Sequence, residues 1–220
     1  MSDLAKLITL YGSDKNLSHY TPCYEAAFSE IRPYVRTLLE VGVGTLQPEI
    51  PSSAVGFLDN SPYYTPGGSL RAWRDYFPNA HILGVDVAED CRFTEERIET
   101  MIFSSTDAYQ CAAHLQNRSF DIIIDDGLHM AYAQLVTLRN LFHAVNDGGF
   151  YVVEDMGGGL DGHEMFSYYQ EEVQEIIAPH EYFYRGNMLI VCKNYTGLGE
   201  IERNGHGLPS RSFSPILNLQ

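Results

Sequence analysis

Two clusters of carboxylates define the chemistry open to this chain. Asp121-Ile-Ile-Ile-Asp125-Asp126-Gly127-Leu128-His129 and Tyr151-Val-Val-Glu154-Asp155 are apolar, mostly β-branched runs that stop abruptly at acids. Such a run reads as a strand buried on both faces, and its carboxyl end is where ligands bind in open α/β folds. Two neighbouring strand ends bring Asp126, Glu154 and Asp155 within reach of one hard cation, with His129 one turn further on. Carboxylates crowded in this way repel one another unless a cation or a shared proton offsets the charge. The pattern reads as an active site.

The elements that hold these acids follow from periodicity and punctuation. Leu4, Leu7, Ile8 and Tyr11 share a helical face, and Gly12-Ser-Asp-Lys15 is a turn. Pro22 opens a second helix to about Arg32. Strands are expected at 36–41, 81–86, 100–103, 120–124 and 149–153, with helices at 69–77, 107–115, 131–145 and 164–177. Glu181–Tyr184 and Met188–Cys192 flank Arg-Gly-Asn and read as an antiparallel hairpin. The 45–67 stretch reads as a long loop, of a length that is usually functional or disordered. Alternating strands and helices imply an α/β protein with a parallel sheet.

Composition narrows the partners. A net charge of −15 disfavours a phosphate backbone and suits a cationic small molecule, so nucleic acid is not expected. Cys23, Cys91, Cys111 and Cys192 lie far apart and read as buried, reduced thiols. No apolar run approaches the ~20 residues of a membrane helix. Met1-Ser-Asp-Leu-Ala-Lys lacks the order of a signal peptide, so a cytoplasmic protein without a membrane partner is expected.

Seven strands, mostly parallel with a closing antiparallel hairpin and helices on both faces, resemble the class I (Rossmann-like) methyltransferase fold, which binds S-adenosylmethionine. The Glu40-Val-Gly42-Val-Gly44 turn follows the first strand. A dinucleotide fingerprint needs a third glycine three residues later, and position 47 is glutamine. The pattern suits a ligand with ribose and adenine but no pyrophosphate. Asp86 is placed to accept from ribose hydroxyls, and Asp107 either from the adenine amino group or as a helix N-cap. Asp125 is placed against the cofactor's amino group or as a turn cap.

Tyr11-Gly-Ser-Asp-Lys15, the 68–78 segment Gly-Ser-Leu-Arg-Ala-Trp-Arg-Asp-Tyr-Phe-Pro, Asp125-Asp-Gly-Leu-His129 and Glu154-Asp155 resemble the metal-dependent sugar O-methyltransferases of natural-product pathways. The resemblance spans roughly residues 10 to 193. It implies Mg²⁺ (or Mn²⁺) on Asp126, Glu154 and Asp155, with His129 as general base. It also implies Glu40, Gly42, Gly44, Ser69, Asp86, Asp107 and Asp125 around the cofactor. The implied layout is an N-terminal helical segment (1–34), a methyltransferase domain (35–194) and an extended tail (195–220). The acceptor would be a small hydroxylated molecule carrying a sugar. Homo-oligomerisation, a catechol-like acceptor and non-catalytic cofactor binding stay open as alternatives. The chain departs from the family in being shorter than members with a large N-terminal oligomerisation domain, in Leu128, and in its 45–67 insert. Asn60-Ser-Pro-Tyr63 resembles a motif of amino-methylating nucleic-acid enzymes but stands after the wrong strand. Asp161-Gly-His163-Glu164 reads as a solvated cap or substrate loop.

Overall fold

Period-two alternation in the apolar runs builds two cores, one on each face of a central sheet. A computed structural model of the chain describes residues 2–16, 19–50, 52, 64–156, 167–185 and 187–194. Most of the 45–67 loop, the Asn60–Tyr63 motif, the 161–164 cluster and the tail from 195 lie outside these residues.

The elements run α1 (Asp3–Leu10), a 3-10 turn (Asp14–Asn16), α2 (Thr21–Phe28), β1 (Thr37–Val41), α3 (Gly68–Tyr76), β2 (His81–Asp86), β3 (Thr94–Glu95) and β4 (Ile98–Ile102). There follow α4 (Ala108–Leu115), β5 (Phe120–Asp125), α5 (Ala131–Leu141), β6 (Val145–Val153), α6 (Gln170–Ile177), β7 (Glu181–Arg185) and β8 (Met188–Cys192). The strands form one eight-stranded sheet in the order β3-β4-β2-β1-β5-β6-β8-β7. Its centre is parallel, while β8 and β7 at one edge and β3 at the other run antiparallel to their neighbours. The strand beyond the expected seven is β3, whose two residues are too few to carry a period.

Leu38, Ile122, Ile124, Phe150 and Val152 face a core shared with Leu4 and Ile8 of α1, Tyr24 and Phe28 of α2, and Trp73 of α3. Leu39, Ile123, Tyr151 and Val153 face the opposite core, with Leu135 and Leu138 of α5. Trp73 lies edge-on to Tyr24 with ring centroids 5.0 Å apart, and Phe28 packs likewise on Phe150 at 5.4 Å. Truncating a fully buried aromatic of this size typically costs about 3–5 kcal/mol, so this side of the sheet fastens α2 firmly. The four cysteines are buried and form no disulfide, as their wide separation in sequence suggests. Among the described residues no helix is long and apolar enough to cross a membrane.

The expected helix over 131–145 stops at Leu141, a 3-10 turn covers Phe142–Ala144, and β6 starts at Val145 instead of 149. Gly148, at φ +76°, and Gly149 look like a turn in sequence but sit in a bulge, where the register slips between Phe120 and Ile122.

From β1 the chain steps outward to β2 and β4, then returns to lay β5 and β6 on the other side. The order therefore reverses between β1 and β5, and a crevice opens beyond their carboxyl ends. Gly42 seals that junction. Its N–H donates to the Val85 carbonyl at 2.8 Å, its φ is +89°, and a Cβ there would lie 1.9 Å from the Asp126 carbonyl oxygen. The group that closely approaches this glycine is thus the chain's own β5 loop.

Candidate active site

The strand ends deliver the acids as the sequence pattern requires. Asp126 follows β5, with its N–H on the Val41 carbonyl at 3.0 Å, and the Glu154 N–H donates to the Asp125 carbonyl at 2.9 Å. The cation that offsets these carboxylates is internal. Lys15, in the 3-10 turn, is buried, and its Nζ donates to Asp126 Oδ2 at 2.7 Å and to both Glu154 oxygens at 2.8 Å. It also pairs with Glu40 Oε1 at 3.1 Å. Burial alone would strip its proton, but the charges of Asp126, Glu154 and Glu40 hold its pKa well above the usual value. Burial raises the Glu40 and Glu154 carboxyls despite Lys15, whereas for Asp126 burial is outweighed by Lys15 and His129 together and the pKa falls.

Helix α2 supplies the other donors. The Tyr20 hydroxyl, one residue before α2, donates to Asp155 Oδ1 at 2.6 Å and accepts from the Asp155 N–H at 3.1 Å. Tyr24 donates to Glu154 Oε1. Gln134 of α5 donates its amide to the carbonyls of Glu154 (2.9 Å) and Asp155 (3.1 Å), bracing a turn in which Asp155 holds φ +47°.

His129 lies between β5 and α5, with Nε2 3.1 Å from Asp126 Oδ1 and 3.7 Å from Asp155 Oδ2. Burial draws its pKa down, but the hydrogen bond and charge of Asp126, joined by Asp155, leave it raised. Asp126, His129 and Asp155 offer ligand atoms within 4.8 Å of one another. The two carboxylates are hard oxygen donors that fit Mg²⁺ or Mn²⁺, while the imidazole, a donor better suited to other metals, stands beside them free to handle a proton. Glu154 stands apart from that group, buried beneath Lys15 and Tyr24.

Beside these residues a cavity of about 620 Å³ runs over the β1 and β2 ends, a size suited to a small molecule of nucleoside dimensions. Gly42, Gly44 (φ +89°), Ser69 and Asp86 line it, together with Asp126 and His129. Asp86 already accepts from the Val43 (2.8 Å), Val87 (2.7 Å) and Ala88 (3.0 Å) N–H groups. The Cys91 thiol also hydrogen-bonds to this carboxylate, so Asp86 is held firmly at the cavity edge.

Three acids expected around the cofactor do not line the cavity. Glu40 is buried between Ser69 Oγ (2.8 Å) and Lys15. Asp125 is buried, with its carboxyl pushed up to about 7 by burial. Asp107 caps α4: Oδ1 accepts from the Tyr109 (2.9 Å) and Gln110 (3.1 Å) N–H groups, and Oδ2 from the Gln110 amide at 2.9 Å. Here the capping alternative describes the geometry. Sequence reasoning missed Lys15, Tyr20, Tyr24 and Gln134 altogether. A lysine in a polar turn ordinarily reads as solvent-exposed, and the only signal was that Tyr11–Lys15 is one of the resembling segments.

The fold is that of the class I methyltransferases. MycE methyltransferase from the mycinamycin biosynthetic pathway, solved in complex with Mg and SAH, superposes with a TM-score of 0.70 at 27% identity, covering 91% of this chain and 57% of that one. No family model matches the chain. In sequence it is 40% identical over 157 residues to 8-demethyl-8-(2-methoxy-alpha-L-rhamnosyl)-tetracenomycin-C 3'-O-methyltransferase of Streptomyces olivaceus. It is 34% identical over 159 residues to mycinamicin VI 2''-O-methyltransferase of Micromonospora griseorubida. Both alignments cover 70% of this chain. The chain resembles these sugar O-methyltransferases, as its motifs indicated, and spans 37% and 36% of their respective lengths.

Proposed function

We propose that the chain is an S-adenosylmethionine-dependent, divalent-metal-dependent O-methyltransferase acting on a sugar hydroxyl of a glycosylated natural product. The observation that carries this reading is the meeting of a nucleoside-sized cavity with Asp126, His129 and Asp155 at one end of it. The sugar-methylating activity named for the relatives at 34–40% identity supports the acceptor class. When bound, S-adenosylmethionine supplies an activated methyl group and the cation lowers the pKa of the acceptor hydroxyl.

The chain's own residues align the reactants and move the proton. Asp86 holds a hydroxylated group at the β2 end, while Gly44 lines the cavity without a side chain and Gly42 lets the β5 loop close beside it. Asp126 and Asp155 would hold the cation, with Glu154 buried behind them on Lys15 and Tyr24. His129 Nε2 takes the acceptor proton as the new C–O bond forms and the C–S bond breaks. Alignment of this kind supplies several kcal/mol of the barrier reduction.

The test is methyl transfer to a panel of glycosylated acceptors and one catechol, with Mg²⁺ or with chelator. Transfer to a sugar hydroxyl that disappears in chelator, with S-adenosylhomocysteine binding retained, is the expected result. Full turnover in chelator would remove the metal role, and failure to bind S-adenosylhomocysteine would end the reading.

A further inference from the structure

We propose that Lys15 and Tyr20 are positioning residues which divide each catalytic aspartate into a held oxygen and a cation-facing oxygen. The inference rests on the cation site read above and concerns which atoms that site presents. Lys15 Nζ occupies Asp126 Oδ2 at 2.7 Å, and the Tyr20 hydroxyl occupies Asp155 Oδ1 at 2.6 Å. The other oxygen of each pair, Asp126 Oδ1 and Asp155 Oδ2, turns toward His129 Nε2, at 3.1 and 3.7 Å. Two donors from the N-terminal segment therefore aim two carboxylates from β5 and β6 at one point.

Both donors are suited to that role. Lys15 is 1% exposed and Tyr20 5%, so neither is free to turn away into solvent. Tyr20 grips Asp155 at two atoms, taking the backbone N–H at 3.1 Å while giving its own proton to the carboxylate. That double contact steadies a non-glycine residue at φ +47°, a conformation L-residues adopt at a cost. Lys15 also bridges Asp126 to Glu40 and Glu154, so one ammonium ties the three acids together and fixes the carboxylate of Asp126 from behind. Outer-sphere partners that orient metal ligands typically matter about 10–100-fold in metal affinity.

The experiment is calorimetric titration of the full chain with Mn²⁺ and, separately, with S-adenosylhomocysteine, for wild type, Tyr20→Phe, Lys15→Met and Lys15→Arg. Tyr20→Phe deletes one hydroxyl and keeps the packing, so it carries the test even where Lys15→Met fails to fold. Expected for Tyr20→Phe is Mn²⁺ affinity weakened about 10–100-fold, with S-adenosylhomocysteine affinity within a few-fold of wild type. Lys15→Arg should recover Mn²⁺ affinity relative to Lys15→Met. Wild type that binds no Mn²⁺ would overturn the cation site itself. Wild type that binds, with Tyr20→Phe equal to it, would overturn only the positioning role. Equal loss of Mn²⁺ and S-adenosylhomocysteine binding in Tyr20→Phe would also overturn it, since a general structural fault loosens both.

Discussion

At the scale of single residues, the site is a set of charges whose sum is managed from inside. Lys15 makes a dense acid cluster foldable before any ion arrives, because removing one partner of a buried ion pair costs more than the pair contributes. His129 sits at the edge of this cluster, half-buried and lining the cavity, where an acceptor oxygen can reach it. General-base catalysis typically contributes ~10²–10⁴-fold, so His129→Ala should lose about that much turnover while keeping Mn²⁺ and S-adenosylhomocysteine affinity. Its residual rate should climb with pH as hydroxide replaces the imidazole. Steady-state kinetics with parallel calorimetry checks this, and a variant that loses Mn²⁺ affinity instead would make His129 a ligand. The acids were legible in the sequence because each ends an apolar run. Their donors were not, because a turn lysine and two tyrosines carry no mark of the partner they will meet more than 100 positions away.

At the scale of elements, one helix end and one helix face divide structural from functional roles. Residues 20 and 24 are one turn apart, so Tyr20 and Tyr24 point from the start of α2 to the same β6 terminus. Asp107, by contrast, spends both oxygens on the first turn of α4. Those bonds hold its carboxyl below the usual range, so the stabilisation is present above the unfolded-state pKa and is lost as pH falls through the folded one. Asp107→Ala should lower Tm by about 2–4 °C at neutral pH, the usual scale for a lost N-cap in a chain of this size. The difference from wild type should shrink in acid, and S-adenosylhomocysteine affinity should be unchanged. Thermal melts with calorimetry separate this from adenine recognition, which would cost affinity. Sequence order could not choose between the two roles, since an acid after a strand and before a helix serves either.

At the scale of the whole molecule, the two-faced sheet sets where water and charge are allowed. Asp125 ends β5 on the buried side of the junction, and burial pushes its carboxyl up to about 7. An unfolded aspartate titrates near ~3.9, so the folded state keeps this proton over a range where the unfolded chain has released it. The stability it contributes is complete below the unfolded pKa and drains away as pH rises toward about 7. Asp125→Asn should therefore gain in Tm relative to wild type as pH rises from about 4 to about 7, and level off above that. Melts across that window check the sign, and a constant offset would rule out burial as the cause.

The sequence by itself determined the parallel sheet, the closing hairpin and the strand ends at which Asp126, Glu154 and Asp155 emerge. These depend on local periodicity and on apolar runs long enough to be buried on both faces. The tertiary structure alone decided that β1 and β5 are neighbours, with the Asp126 carbonyl filling the space a Cβ on Gly42 would need. It also decided that Glu40 is sealed beneath Lys15 while Asp86 faces the cavity. Both acids end or nearly end a strand, but a strand end specifies height above the sheet, not which neighbour arrives to cover it. That neighbour comes from the N-terminal turn, and its identity is a property of packing across the chain.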